Sequence, residues 1–138
     1  MKTVKSVGGL TFSIGLACSA SVWAADFNGS QSLTCTPSAA YSCEPGKACS
    51  RVKPESNPPR AMTIDAAAKS VRAPYRTELL PIANSVLNDE QLQLQGTAEK
   101  FAWSAIVHRR TGKVTVTIAD RLGAYVIFGD CKISAAAD

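Results

Sequence analysis

The run from Gln91 to Cys131 leaves the chain little freedom of fold. Leu92 and Leu94 alternate with Gln93 and Gln95, and Phe101, Trp103, Ala105 and Val107 share one face. Val114, Val116 and Ile118 alternate with threonines, and Tyr125 to Phe128 is continuously apolar. A period of two with β-branched and aromatic enrichment belongs to strands. Gly96-Thr97, Thr111-Gly112 and Leu122-Gly123 supply the turns. Four strands joined in succession by short turns make an antiparallel meander, and this one ends on a cysteine.

The preceding residues extend the pattern. Leu33 to Thr36 reads as a short strand carrying Cys35, and Tyr41 to Cys43 as the start of a second. Three prolines within Pro54 to Pro59 exclude a central strand there and imply a stiff, exposed connection. Met62, Ile64 and Ala66 alternate with Thr63 and Asp65; a short helix over 65–70 competes, because alanine and lysine favour it. Ser70 to Arg72 follows as a strand, and Pro81 makes Thr77 to Leu87 an edge or bulged one. About eight short strands at roughly 8–12-residue spacing predict an all-β fold. The expected form is a small antiparallel up-and-down meander closing into a barrel and stabilised by disulfides, with a β-sandwich as the alternative.

The 138 residues allow one domain. Lys2 and Lys5, the apolar run Val7 to Ala20 and the small residues of Val22-Trp23-Ala24 read as a signal peptide over 1–24. Cys18 does not make a lipobox, since Gly15 stands where an aliphatic residue is needed. The domain is then 25–131, and the alanine-rich 132–138 is expected as a disordered tail. The predicted location is the periplasm, with secretion as the alternative. Loss of Lys2 and Lys5 leaves 13 of the 15 basic residues against 11 acidic ones, a charge of +2. So weak a balance argues against a nucleic-acid partner. No other stretch is long and apolar enough for stable membrane insertion, and a monomer is expected.

Of five cysteines, four remain after cleavage: Cys35, Cys43, Cys49 and Cys131. In a short exported chain they read as a disulfide framework, for which three connectivities exist. The turn-rich Glu-Pro-Gly-Lys-Ala between Cys43 and Cys49 favours a local bridge, leaving Cys35 for Cys131, without eliminating the other pairings. Their spacing lacks the C-x2-C pairs of a zinc site, so no metal and no cofactor is expected.

Several short stretches together resemble a group of short exported proteobacterial proteins that carry no assigned activity. They are F-x-G at Phe27–Gly29, L-x-C at Leu33–Cys35, Cys43 and Cys49, Ile64-Asp65 and Leu94-Gln95-Gly96. Trp103-Ser104, Thr111-Gly112-Lys113 and F-G-x-C at Phe128–Cys131 complete the set. The resemblance implies a periplasmic location. In architecture alone, a small disulfide-linked barrel is similar to periplasmic lysozyme inhibitors and calycin-type binders. Architecture does not carry function, and the inhibitory motif of the former does not align here.

Residues with chemistry to offer are few. The single histidine, His108, could in principle act with Asp120 and Ser104, but Ser104 lies mid-strand without the strained glycine turn a nucleophile needs. No catalytic residues are assigned and no enzyme is expected. The hairpin tip with Arg109, Arg110 and Lys113, together with Arg72 and Arg76, could form an anion-attracting mouth beside Trp103 if the two loops met at one barrel end. Trp103, Phe101, Tyr125 and Phe128 are either core or the wall of a cavity. Two functions are carried forward. One is a non-catalytic module binding a small apolar or anionic ligand; the other is an envelope interaction protein, such as an inhibitor of a secreted hydrolase, acting through the 44–60 loop.

Overall fold

A computed structural model describes residues 24–135. The expected signal peptide, all but Ala24, lies outside the described residues, as do the last three residues of the expected tail. Ten strands and no helix make up the described chain. They are β1 (Leu33–Cys43), β2 (Ser50–Arg51), β3 (Met62–Asp65), β4 (Ser70–Arg72) and β5 (Leu80–Pro81). Then follow β6 (Asn84–Leu87), β7 (Gln91–Thr97), β8 (Ala102–His108), β9 (Lys113–Ala119) and β10 (Ala124–Ile133). All pairings are antiparallel, in the order β5-β4-β3-β1-β10-β9-β8-β7-β6, with β2 added to β1. Among the described residues no helix is long and apolar enough to cross a membrane.

The meander β7–β10 follows the alternation. Leu92, Leu94, Trp103, Ala105, Val107, Val114 and Val116 turn inward and are buried, while Gln95, Ile106 and Thr117 face out. The sheet curls because its two ends belong to one run of chain. β5 pairs with β4, the Ile82 amide donates to Lys69, the Ala83 amide donates to Gln95, and β6 pairs with β7. Thr77–Leu87, expected as one edge or bulged strand, is instead two short strands at the two edges of the sheet, parted at Ile82-Ala83. Residues 77–79 lie outside any strand, and the chain's passage from one edge to the other makes the sheet barrel-like. Gly96 permits the crossing: a Cβ there would stand 2.3 Å from the Pro81 carbonyl and 2.6 Å from the Trp103 ring.

Two readings of the termini change. Leu33–Cys43 is one strand, not two short ones, because its pairing with β10 continues across an irregularity between Pro37 and Ala39. Pro37 has no amide to donate, Ser38 is left out of register, and the Ser38 hydroxyl donates to the Phe128 carbonyl (3.2 Å). The last strand also runs beyond Cys131. Lys132 and Ile133 pair with Thr34 and Leu33, and the Ser134 amide donates to Ser32 (2.8 Å). The ordered sheet therefore takes the first residues of the expected tail, because alternation persists through Ile133 and its neighbours find partners on β1. The helix weighed for 65–70 is a turn, with the Asp65 carboxylate accepting the Ala68 amide (2.8 Å).

Cys35 is bonded to Cys131 and Cys43 to Cys49. The first bridge joins directly opposed residues of β1 and β10 that lie 96 apart in sequence, and both cysteines are buried. Closing so long a loop removes unfolded-state entropy equivalent to about 4–5 kcal/mol. Two disulfides mark a chain suited to an oxidising, extracytoplasmic type of environment.

Around that bridge the interior is solid. Leu33, Leu92, Leu94 and Val107 are at most 1% exposed, and Phe27 of the lead-in closes this end, its amide donating to Arg109 (3.0 Å). Asn28 forms a turn there, its side-chain oxygen accepting the Ser30 amide (2.9 Å).

Candidate functional site

Toward the other end of the same strands the interior is hollow. A cavity of about 540 Å3 lies between the inward faces of β3, β4, β8, β9 and β10. Its deep wall is Ile64, Val71, Leu80, Trp103, Ala105 and Val116. Period two dictates these positions, since each stands two or four residues from a neighbour that also faces in. Emptiness follows from size. Beyond the bulge β1 presents Pro37, Ala39 and Ala40 where its first half presents Leu33, and β8 presents Ala105 between Trp103 and Val107.

The bulge also makes the opening. β1 pairs with β3 only through Leu33–Cys35, and past Pro37 its edge is taken by β2. Arg51–Glu55 and Pro59–Arg60 line the cavity on this side, and Ala73–Arg76 line it from the chain after β4. Tyr75 has φ 69°, a left-handed backbone that an aromatic residue adopts only when its surroundings hold it there.

Charge is confined to this rim. None of the described residues is both buried and polar or charged, apart from what Trp103 contributes through its indole. Arg51, Lys53, Arg60 and Arg76 stand at the rim against Glu55 and Asp120. The Asp120 carboxylate is committed to its own turn, accepting the Leu122 and Gly123 amides at 2.7 and 3.0 Å. The Arg60 guanidinium lies 5.1 Å over the Tyr75 ring and that of Arg76 5.2 Å over Phe101. Among the described residues no carboxylate lies within ion-pair distance of any of the four cations.

Trp103 is both core and wall, as it is only 6% exposed yet borders the cavity. Its Cε2 and Cζ2 atoms lie against Gly96, and Nε1 is the one buried side-chain polar atom among the described residues without a partner. Leaving it unpaired costs about 1–3 kcal/mol.

The basic mouth expected from the sequence is redrawn. Trp103 and Arg76 belong to the cavity, whereas Arg109, Arg110 and Lys113 lie on the β8–β9 hairpin at the filled end. Arg109 is a structural clamp there. Its Nε and Nη2 donate to the Asp26 carboxylate at 2.9 and 2.7 Å, and Nη1 donates to the Asn88 carbonyl at 2.9 Å. The hydrogen bond from Arg109 holds the Asp26 carboxyl below its ordinary value of 3.8, and in return raises the Arg109 pKa. Lys113 pairs with Asp130 across β9 and β10. Arg72 is exposed on β4 and is not among the cavity residues, because Val71 takes the inward position beside it. Tyr125 reaches the cavity while half exposed, whereas Phe128 faces outward and meets Tyr41 edge-on, their centroids 6.4 Å apart.

Ser104, His108 and Asp120 are not brought together. Ser104 shares a hydrogen bond with Thr117 on the outer face (2.6 Å), and His108 Nδ1 accepts the Arg110 and Thr111 amides of its own hairpin. Among the described residues no group of three or more His, Cys, Asp or Glu is placed to hold a metal ion. Phe101, read from the sequence as core or cavity wall, borders the cavity, whereas sequence reasoning did not single out Arg60 or Tyr75 at a mouth. The only available signals were the proline-stiffened runs Pro58-Pro59-Arg60 and Pro74-Tyr75-Arg76. Comparison of the chain with protein-family models, curated proteins and solved structures gives no match.

Proposed function

We propose that the protein is an exported, non-catalytic binding module that holds one small, largely apolar ligand inside the curled sheet, and that it works in the periplasm. The observation that carries this reading is the cavity itself: about 540 Å3, walled by aliphatic and aromatic side chains and open at one end. Small-molecule sites are typically concave, apolar and of this size, with a few polar groups at fixed places. The neutral reporter N-phenyl-1-naphthylamine tests it. One dye should bind per chain with enhanced emission, and Ala105→Phe should abolish that binding while the protein still folds. Dye bound equally by the folded variant would place it outside the cavity and overturn the reading.

A second reading keeps one observation in its favour. Glu44–Ser50 are all exposed on a projection closed by Cys43–Cys49, and a pre-ordered loop of this kind lowers the entropy cost of gripping a protein partner. An envelope hydrolase retained by the wild-type chain, and released by replacement of Glu44–Ala48 with Gly-Ser repeats, would favour it over the ligand module.

A further inference from the structure

We infer that the ligand is a single-chain amphiphile with an anionic head, such as an alkyl carboxylate, seated with its tail in the hollow and its head between Arg60 and Arg76. The inference rests on the cavity being a ligand site and adds the chemistry and orientation of what fills it.

Two features of the molecule meet at one place. The deep wall offers only apolar surface: Ile64, Val71, Leu80, Ala105 and Val116 supply no hydrogen-bonding side chain, and the Trp103 Nε1 is itself buried out of reach. A charged or strongly polar group pushed to that depth would lose its water and gain no partner. An apolar chain suffers no such loss. The opening has the opposite character, with four cations against the two carboxylates Glu55 and Asp120, neither of them within ion-pair distance of a rim cation.

The arginines are also positioned rather than merely present. Each lies within cation–π distance of an aromatic ring of the same rim, Arg60 over Tyr75 and Arg76 over Phe101. A guanidinium drawn over a ring by cation–π attraction is restrained at the rim and still carries five N–H donors, enough to receive a carboxylate bidentately. The other cations held in place already have an anion: Arg109 has Asp26, Lys113 has Asp130 and Lys47 has Glu44. At the mouth Arg60 and Arg76 are held over rings, and among the described residues no carboxylate lies within ion-pair distance of either. A ligand whose one end is apolar and whose other end is a carboxylate, sulfonate or phosphate satisfies both regions together. A neutral apolar molecule satisfies only the first, and a free inorganic anion only the second.

Three probes that share a chain and differ in head separate these cases: decanoate, decanol and decyltrimethylammonium, each below its aggregation threshold, titrated calorimetrically into the oxidised protein. Decanoate should bind once per chain and about tenfold or more tighter than decanol, with the ammonium weakest. The double variant Arg60→Gln/Arg76→Gln should reduce decanoate to the affinity of decanol, leaving decanol and the melting temperature unchanged. Added salt should narrow the wild-type preference, since the head groups sit at an exposed rim. Equal binding of decanoate and decanol, or a preference that survives the double variant, would overturn the anionic-head inference while leaving the cavity a ligand site. Tighter binding of the ammonium would overturn it by sign. Failure of all three probes, with N-phenyl-1-naphthylamine also excluded, would remove the underlying reading as well.

Discussion

The two ends of the curled sheet share their strands and differ in what those strands turn inward. At one end Leu33, Leu92, Leu94, Val107 and Val114 meet around Cys35–Cys131, with Phe27 laid across them. At the other, the same β1 and β8 present Pro37, Ala39, Ala40 and Ala105, and about 540 Å3 stays unfilled. Surface charge follows the division. Arg109 and Lys113 at the filled end are paired with Asp26 and Asp130, whereas Arg60 and Arg76 at the hollow end lie over aromatic rings with no carboxylate within ion-pair distance among the described residues. Alternation therefore fixes which side chains face in, but their sizes decide whether the interior is a core or a container. Tight burial and the long disulfide are concentrated in one half, and the other half forgoes packing.

That division can be broken first at the disulfides. Replacing Cys35 and Cys131 together by alanine should lower unfolding free energy by about 4–5 kcal/mol, whereas the same change at Cys43 and Cys49 should cost only about 2 kcal/mol. Denaturant titration of both variants decides it, and equal losses would erase the distinction between a core bridge and a loop bridge.

Packing provides the next contrast. Leu94→Ala at the filled end should cost about 2–5 kcal/mol through lost burial and a new void. Enlargement sharpens it on a single strand: Val107→Phe should destabilise by about 1–3 kcal/mol, while Ala105→Leu, two residues away, should change stability by less than about 1 kcal/mol because there is room for it. Similar penalties at both positions would mean that the hollow is not a space a side chain can enter.

The smallest effect belongs to Asp26. Its folded-state pKa lies below 3.8 because Arg109 hydrogen-bonds the charged form, so its contribution is complete above that pH and is lost as pH falls through the lower folded value. Asp26→Asn should flatten this part of the acid limb of the stability curve and leave neutral-pH stability only slightly lower, since the pair is solvent-screened. An unchanged acid limb would make the Asp26–Arg109 clamp energetically silent.

Much of the filled end was legible in the sequence. Strands β7–β10 announce themselves by alternation, and the spacing of Cys35, Cys43, Cys49 and Cys131 already favours the pairing found. The limits of β1 and β10 were less so. Pro37 reads locally as a break, and only the tolerance of a bulge keeps the strand intact; the alanines after Ser134 hide a strand that ends on Ile133. The hollow end was hardest to read because it depends on small residues meeting in space, and a missing volume leaves no periodic mark. Its rim joins Arg60 to Tyr75 and Phe101 to Arg76 across loops whose approach is set by the bulge in β1 and the crossing of Leu80–Leu87. The Arg109 cluster misled for the same reason: its partner Asp26 lies 83 residues away in sequence.

The most direct test of a solid end supporting a hollow one is native mass spectrometry of the protein released gently from the cells that make it, set beside its denatured mass. The account predicts additional mass retained under native conditions, lost on denaturation and absent from a folded Ala105→Phe variant. A wild-type chain that flies bare, and stays bare after incubation with decanoate or N-phenyl-1-naphthylamine, would contradict it.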